Sequence, residues 1–173
     1  MNAIFERRSI RHYTSEDVSE EIVDDLLKAA MSAPSACDQR PWDFVVIRDK
    51  NTLSGISKIN RHARMLNEAP VSIVVCGNMD RVNGSCGQFW VQDCAAATEN
   101  ILIEAQDRGI GAVWLGFYPV DERVEKMRKV LHAPENVVPF SVVALGNPAE
   151  KPVPVEKFDR ERIHYEKWPT GYL

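Results

Sequence analysis

The stretch 7-RRSIRHY-13 puts three guanidiniums, a hydroxyl and an imidazole side by side in a chain whose formal net charge is −4. Ion pairs with Glu6, Glu16 or Asp17 on a solvated helix face would account for Arg7, Arg8 and Arg11. Exposed pairs contribute only about 0–1 kcal/mol each, so stability does not call for this density. Like charges this close repel unless an anion lies among them. A phosphate suits the group: guanidinium forks match its oxygens and Ser9 adds a neutral donor. Each such charge-assisted hydrogen bond contributes about 1.5–3 kcal/mol. Both readings stand at this point.

Two further stretches carry candidate chemistry. In 32-SAPSACDQRPW-42 the small residues Ser35, Ala36 and Cys37 precede Asp38, Gln39 and Arg40, which donate and accept. Pro34 and Pro41 fit a helix stop and a strand start, with Trp42 as core. The small-then-polar order also lets backbone approach a flat ligand whose edge takes hydrogen bonds. In 109-GIGAVWLGFYP-119, Gly116 interrupts a strand pattern, which marks a bulge or the close approach of another group. Metal chemistry is not expected, since His12, His62, His132 and His164 are scattered without ligand spacing. Cys37, Cys76, Cys86 and Cys94 contain no C-x-x-C pair, so free thiols are expected rather than a disulfide framework. Cys37 itself reads as a small space-filler.

The elements that must hold these groups follow from pattern. Ser19 caps a helix with Glu20 and Glu21 in its first turn and Ile22, Leu26, Leu27 and Ala30 on one face, ended by Pro34. Residues 44–47 read as a strand, 51–68 as a broken helix, and 71–76 as a central strand. Residues 88–108 form the longest helix, apolar on more than one face and therefore buried in the domain or between two chains. Residues 112–118 and 140–146 are two more strands. Asp121 caps a short helix between them that carries Val124, Met127, Val130 and Leu131. The order predicts an α+β sandwich with helices flanking a central mixed, largely antiparallel sheet. With 173 residues, 45% of them apolar, the chain suits one domain (1–173). Its core is 1–146, and 147–173 is a Pro-rich extension and charged arm with anchors Phe158, Tyr165, Trp168 and Tyr172.

The acidic balance argues against a nucleic-acid partner. No apolar run is long enough to span a membrane. Met1 leads into charged residues rather than an apolar leader, so a cytoplasmic protein without a membrane partner is expected.

Taken in order, RRSIRxY, APSAxxxxPW, GxGxVWLGFYP and ALGxPAEKP with a basic tail resemble the nitroreductase family of FMN enzymes, over roughly residues 3–168. The resemblance implies a homodimer with FMN at the subunit interface and a C-terminal arm exchanged onto the partner subunit. It implies that Arg7, Arg8, Ser9 and Arg11 hold the phosphate and ribityl chain, completed by Arg160 and Arg162 of the arm. Pro34, Ser35, Ala36, Cys37 and Asp38 would reach the flavin from the partner subunit. Trp114, Leu115 and Gly116 would line the ring, with backbone N–H groups of Leu115 and Gly116 facing it near N5. Arg64 would lie near N1 and O2. Residues 88–108 would form an interface helix, and residues 78–90 the wall that selects acceptors.

The implied activity is ping-pong reduction of nitroaromatics, quinones or similar electron-poor small molecules by NADH or NADPH, with the cofactor carrying the hydride and no side chain acting as acid or base. Two positions depart from many relatives, which carry Asn for Asp38 and Gln for Arg40; here the two can compensate as an ion pair. The alternative from a different class is a non-redox binding module for a phosphorylated ligand, which the arginine cluster fits equally well.

Overall fold

The runs 71-VSIVVC-76 and 140-FSVVALG-146 are apolar on both alternating sets of positions, the pattern of strands covered on two faces. The computed structural model, which describes residues 3–153 and 155–168, places both runs at the centre of a four-stranded sheet. In chain order the elements are α1 (Ala3–Glu6), α2 (Glu20–Met31), β1 (Trp42–Ile47), α3 (Lys50–Ile59), β2 (Val71–Asn78), α4 (Trp90–Asp107), β3 (Gly111–Gly116), α5 (Asp121–Leu131) and β4 (Val137–Gly146). The strand order is β1-β2-β4-β3 and every pairing is antiparallel. The expected α+β sandwich is therefore present, but its sheet is antiparallel rather than mixed. The one parallel contact among the described residues is a bridge between Ser9 and Ala112. Tyr172 lies outside the described residues.

Alternation along the strands divides the core in two. Val71, Ile73, Val75, Val143 and Leu145 pack with Val23, Leu26 and Ala30 of α2 and with Ala97, Ile101 and Ala105 of α4. Val74, Cys76, Val142 and Ala144 pack on the other face with Leu53 and Ile56 of α3 and Met127 of α5. Each such aliphatic side chain contributes about 1.5–3 kcal/mol on full burial. Ser19 caps α2 as expected, its hydroxyl accepting from the Ile22 N–H at 3.3 Å. Asp121 does not cap α5: Val120 is the N-cap and Asp121 sits in the first turn, where its charge still favours the helix dipole. β4 begins before residue 140 because Pro139 sits where the β2–β4 register shifts beside Val75 and Cys76, and a bulge tolerates the missing N–H.

The N-terminal segment differs most from its reading. α1 ends at Glu6, and the arginines lie on an extended segment across the β3 edge, not on a helix face. The Ile10 N–H donates to the Ala112 carbonyl at 3.0 Å. The Tyr13 hydroxyl lies 2.7 Å from the Ile10 carbonyl and 3.2 Å from that of Ala144. Burial pushes the Tyr13 phenol well up, so it remains a donor. Two glycines make room for this crossing. A Cβ on Gly111 would come within 2.8 Å of Ile10 Cγ2, and one on Gly146 within 2.8 Å of Tyr13 Cδ1. Residues 147–150 return along the segment: Thr14 donates to the Asn147 carbonyl and Ala149 to that of His12, both at 2.9 Å. The Glu150 carboxylate accepts from the Arg11 and His12 backbone N–H groups, which hold it below its usual range. No helix among the described residues is long and apolar enough to cross a membrane.

Candidate active site

Two adjoining pockets open where the N-terminal segment crosses β3. The smaller, about 240 Å³, is lined by Arg7, Arg8, Ser9, Arg11 and Lys157. The expected partners Glu6, Glu16 and Asp17 pair with none of these arginines among the described residues. Arg7 instead reaches Glu99 on α4, with Nε 3.4 Å from Oε1. The Arg8 guanidinium donates to the Val153 carbonyl. The pocket keeps several guanidinium donors and the Ser9 hydroxyl turned toward one small space, an arrangement suited to phosphate.

The larger pocket, about 510 Å³, also begins at Arg11. Val113, Trp114, Leu115 and Gly116 form one wall, and Asn60, Arg61, His62, Arg64 and Met65 another, with Arg123 closing the end. The sequence places these side chains by simple local means. α3 stops at Asn60, whose Oδ1 accepts from the His62 N–H at 3.0 Å while its carbonyl accepts from the Ala63 N–H at 2.8 Å. The turn Arg64–Asn67 follows and buries Met65 and Leu66, which leaves Arg64 outside. Asn60 Nδ2 and Arg123 Nη1 donate to the same Gly116 carbonyl, at 3.4 and 3.2 Å, and tie the turn and α5 to the end of β3.

Gly116 is the feature that internal packing does not demand. A Cβ there would meet no atom within 4 Å, unlike at Gly111 and Gly146. Its absence leaves backbone open to whatever enters the pocket. Leu115 is buried in the core on the α3 and α5 side, so it can present only backbone.

Charge is one-sided. Neither Asp nor Glu lines the larger pocket. Among the described residues, Arg11, Arg61, Arg64 and Arg123 have no carboxylate oxygen within 4.0 Å of their guanidiniums. Apolar walls such as Met65 and Val113 strengthen the resulting field.

The loop over residues 34–38 is not brought to these pockets within one chain. It packs at the start of α4, on the opposite face of the sheet from Val113 and Leu115. The Ala36 N–H donates to the buried Asp93 carboxylate at 3.0 Å. Gln39 bonds Asn83, donating to its carbonyl at 2.8 Å. Arg40 grips Asp38 with two hydrogen bonds of 2.7 Å and holds its carboxyl below the usual range, so the expected ion pair is present. Cys37, Asp38 and Arg40 have φ of 53°, 52° and 48°, a left-handed backbone that non-glycine residues adopt at a cost.

The expectation of four free thiols is corrected here: Cys37 and Cys86 form a disulfide. The short helices Ala36–Asp38 and Gly84–Phe89 lie side by side and bring together thiols separated by 49 residues, with Cα atoms 6.2 Å apart. Cys37 is thus a cross-link and not a space-filler. Cys76 and Cys94 are free and buried, and burial pushes the Cys76 thiol up to about 12.

Arg160 and Arg162 lie in the exposed turn Arg160–Arg162, where Arg162 pairs with Asp159 at 2.9 Å. Within one chain the arm brings Lys157, not these arginines, to the small pocket. Pattern reading missed Asn60, Arg61, His62, Arg123 and Lys157. The break in the 51–68 helix was the only signal for the first three.

Comparison with known proteins supplies the family. Residues 4–67 and 57–147 match the Nitroreductase family. A protein of Methanothermobacter thermautotrophicus, provisionally named NADH dehydrogenase/NAD(P)H nitroreductase, is 47% identical over 97% of this chain and 87% of its own length. A crystal structure of a Bacteroides thetaiotaomicron protein with the same provisional name superposes with TM-score 0.91 at 43% identity, covering 96% of both chains. A Desulfovibrio desulfuricans protein provisionally named a nitroreductase, crystallised in complex with FMN, superposes with TM-score 0.81 at 31% identity, again over 96% of both chains. This chain belongs to the nitroreductase family.

Proposed function

We propose that the chain is an FMN-dependent oxidoreductase that uses NADH or NADPH to reduce nitroaromatics, quinones or similar electron-poor acceptors. One observation carries the reading: Arg11 lines both pockets, so a small pocket of guanidiniums and an acid-free cleft ending on bare Gly116 backbone adjoin at one side chain. A mononucleotide has the matching shape, dianionic at one end and planar at the other. The residues present fit FMN, because the open space above Gly116 would be filled by any side chain placed there.

Arg7, Arg8, Ser9 and Lys157 would hold the phosphate. The backbone at Trp114, Leu115 and Gly116 would line the ring. Bound there, FMN would supply two-electron hydride chemistry between the nicotinamide and the acceptor. Arg11 and Arg64 supply fixed positive charge where negative charge develops, and the apolar walls of the cleft keep that field strong. Asn60 and Arg123 hold the Gly116 carbonyl, which orients the last peptide of β3 toward the cleft.

A homodimer is part of the reading. The sheet separates residues 34–38 from the cleft, so only a second copy could supply Pro34, Ser35, Ala36, Cys37 and Asp38 to it. Phe5, Phe158, Tyr165 and Trp168 are each about 70% exposed, at 75%, 68%, 71% and 70%, and offer the apolar surface that an exchanged arm would cover. Exchange would carry the arm's basic residues together, Lys157, Arg160 and Arg162, to the matching phosphate pocket of the other copy.

The test is direct. Purified protein should show visible flavin absorbance that bleaches anaerobically on addition of NADH or NADPH and returns with a quinone or nitroaromatic. A protein that stays colourless after incubation with FMN would instead be a binding module for another phosphorylated ligand.

A further inference from the structure

The larger pocket holds more positive charge than a flavin can neutralise. Four guanidiniums face it, from Arg11, Arg61, Arg64 and Arg123, and no carboxylate lines it. In the reading above, on which this inference rests, the phosphate belongs to the neighbouring pocket and the ring gains at most one negative charge on reduction. Arg11 and Arg64 answer that charge. Arg61 and Arg123 remain.

These two are held in place for a different anion. Arg123 spends one N–H on the Gly116 carbonyl at 3.2 Å, and the other donors of its fork remain. Arg61 donates from Nε to His62 Nε2 at 3.0 Å, which leaves both Nη groups. Asn60, next to Arg61, bonds the same Gly116 carbonyl as Arg123. Arg123 is therefore anchored on that carbonyl directly and Arg61 on His62 beside Asn60, each with part of its rotamer freedom already lost. Guanidinium forks arranged this way match phosphate or carboxylate.

We infer that Arg61 and Arg123 form a second anion subsite, which takes a phosphate or carboxylate group on the substrate that exchanges over the cofactor. The group is either the 2′-phosphate that distinguishes NADPH from NADH or a carboxylate on the acceptor.

Two matched pairs of substrates separate these sources in FMN-loaded protein: NADPH against NADH, and 4-nitrobenzoate against 4-nitrobenzamide. Binding of NADP⁺ and NAD⁺ is titrated by calorimetry in parallel, as a readout independent of turnover. At low salt the charged member of at least one pair should be preferred by about tenfold or more, mainly through KM. Salt should shrink the preference. Arg61→Gln with Arg123→Gln should abolish it, while Arg61→Lys with Arg123→Lys should keep most of it and show that the fold survives substitution at both positions. Discrimination in neither pair, or discrimination untouched by the glutamine changes, would overturn the inference while leaving the flavoprotein reading intact. A protein that takes up no FMN would overturn that reading, and this inference with it.

Discussion

The two regions proposed to meet one cofactor are built by different means. The 7–13 segment lies on the sheet edge through a ladder bond from Ile10 to Ala112 and close packing over Gly111 and Gly146, and two side-chain donors, Asn60 and Arg123, tie down the Gly116 carbonyl at the end of β3. The 34–40 loop is held by side chains and a disulfide, and three of its non-glycine residues have left-handed backbone. The first region pairs Arg7 with Glu99 but, among the described residues, leaves the Arg8 and Arg11 guanidiniums without a carboxylate partner. The second neutralises its own, in the Asp38–Arg40 pair. Strong charge sits on the stiff sheet edge, where its position is fixed in advance, and the loop contributes shape. Fixed charge is worth most when no reorganisation accompanies its use.

The largest expected effect removes the charge on the stiff side. Arg8→Ala with Arg11→Ala deletes two charge-assisted donors, each contributing about 1.5–3 kcal/mol, and should weaken FMN binding about a hundredfold or more. Flavin fluorescence titration reads it, and urea unfolding of the flavin-free protein should shift little, since both side chains line open pockets. The disulfide gives the opposite signature. Cys37→Ser with Cys86→Ser opens a cross-link spanning 49 residues and should lower unfolding stability by about 2–4 kcal/mol. FMN affinity should change less than in the arginine variant.

Gly116→Val sharpens the contrast at one residue. The new side chain meets no neighbour, so stability should stay within about 0.5 kcal/mol. FMN affinity should fall by about tenfold or more, because the added atoms occupy the space assigned to the ring. Equal FMN affinity in the valine variant would free the pocket from that role.

The smallest effect is a pH dependence in the loop. Arg40 holds the Asp38 carboxyl below its ordinary value of 3.8, so the pair contributes stability above that pH and loses it as pH falls through the lowered value. In acid unfolding below about pH 4, wild type should therefore lose stability more steeply than Asp38→Asn. Parallel curves would mean that the pair contributes nothing to the loop.

Much of this was legible in the residues. The runs at 71–76 and 140–146 gave the central strands because burial on both faces leaves no polar alternation to blur them. RRSIRHY offered an anion site as one of two readings, and its three arginines and serine do line one small pocket; Gly116 pointed to a bulge or an approach, and a Cβ there meets open space. What pattern could not give was tertiary. Nothing local distinguishes a helix face from an edge segment for residues 7–13, since their partners Ala112, Gly111 and Gly146 are about a hundred residues or more away. Cys37 and Cys86 lack any spacing signature, and only the side-by-side packing of two short helices joins them. Arg61 and Arg123 look like ordinary solvated charges until the turn after α3 and the start of α5 meet at one carbonyl.

The phosphate pocket can be tested by one comparison, the equilibrium binding of FMN and riboflavin to flavin-free protein. The two ligands share the ring and differ in the phosphate that Arg7, Arg8, Ser9 and Lys157 are assigned to hold. FMN should bind about a hundredfold more tightly or better, with the difference shrinking as salt is raised. Equal affinity for the two, or no binding of either, would contradict the assignment.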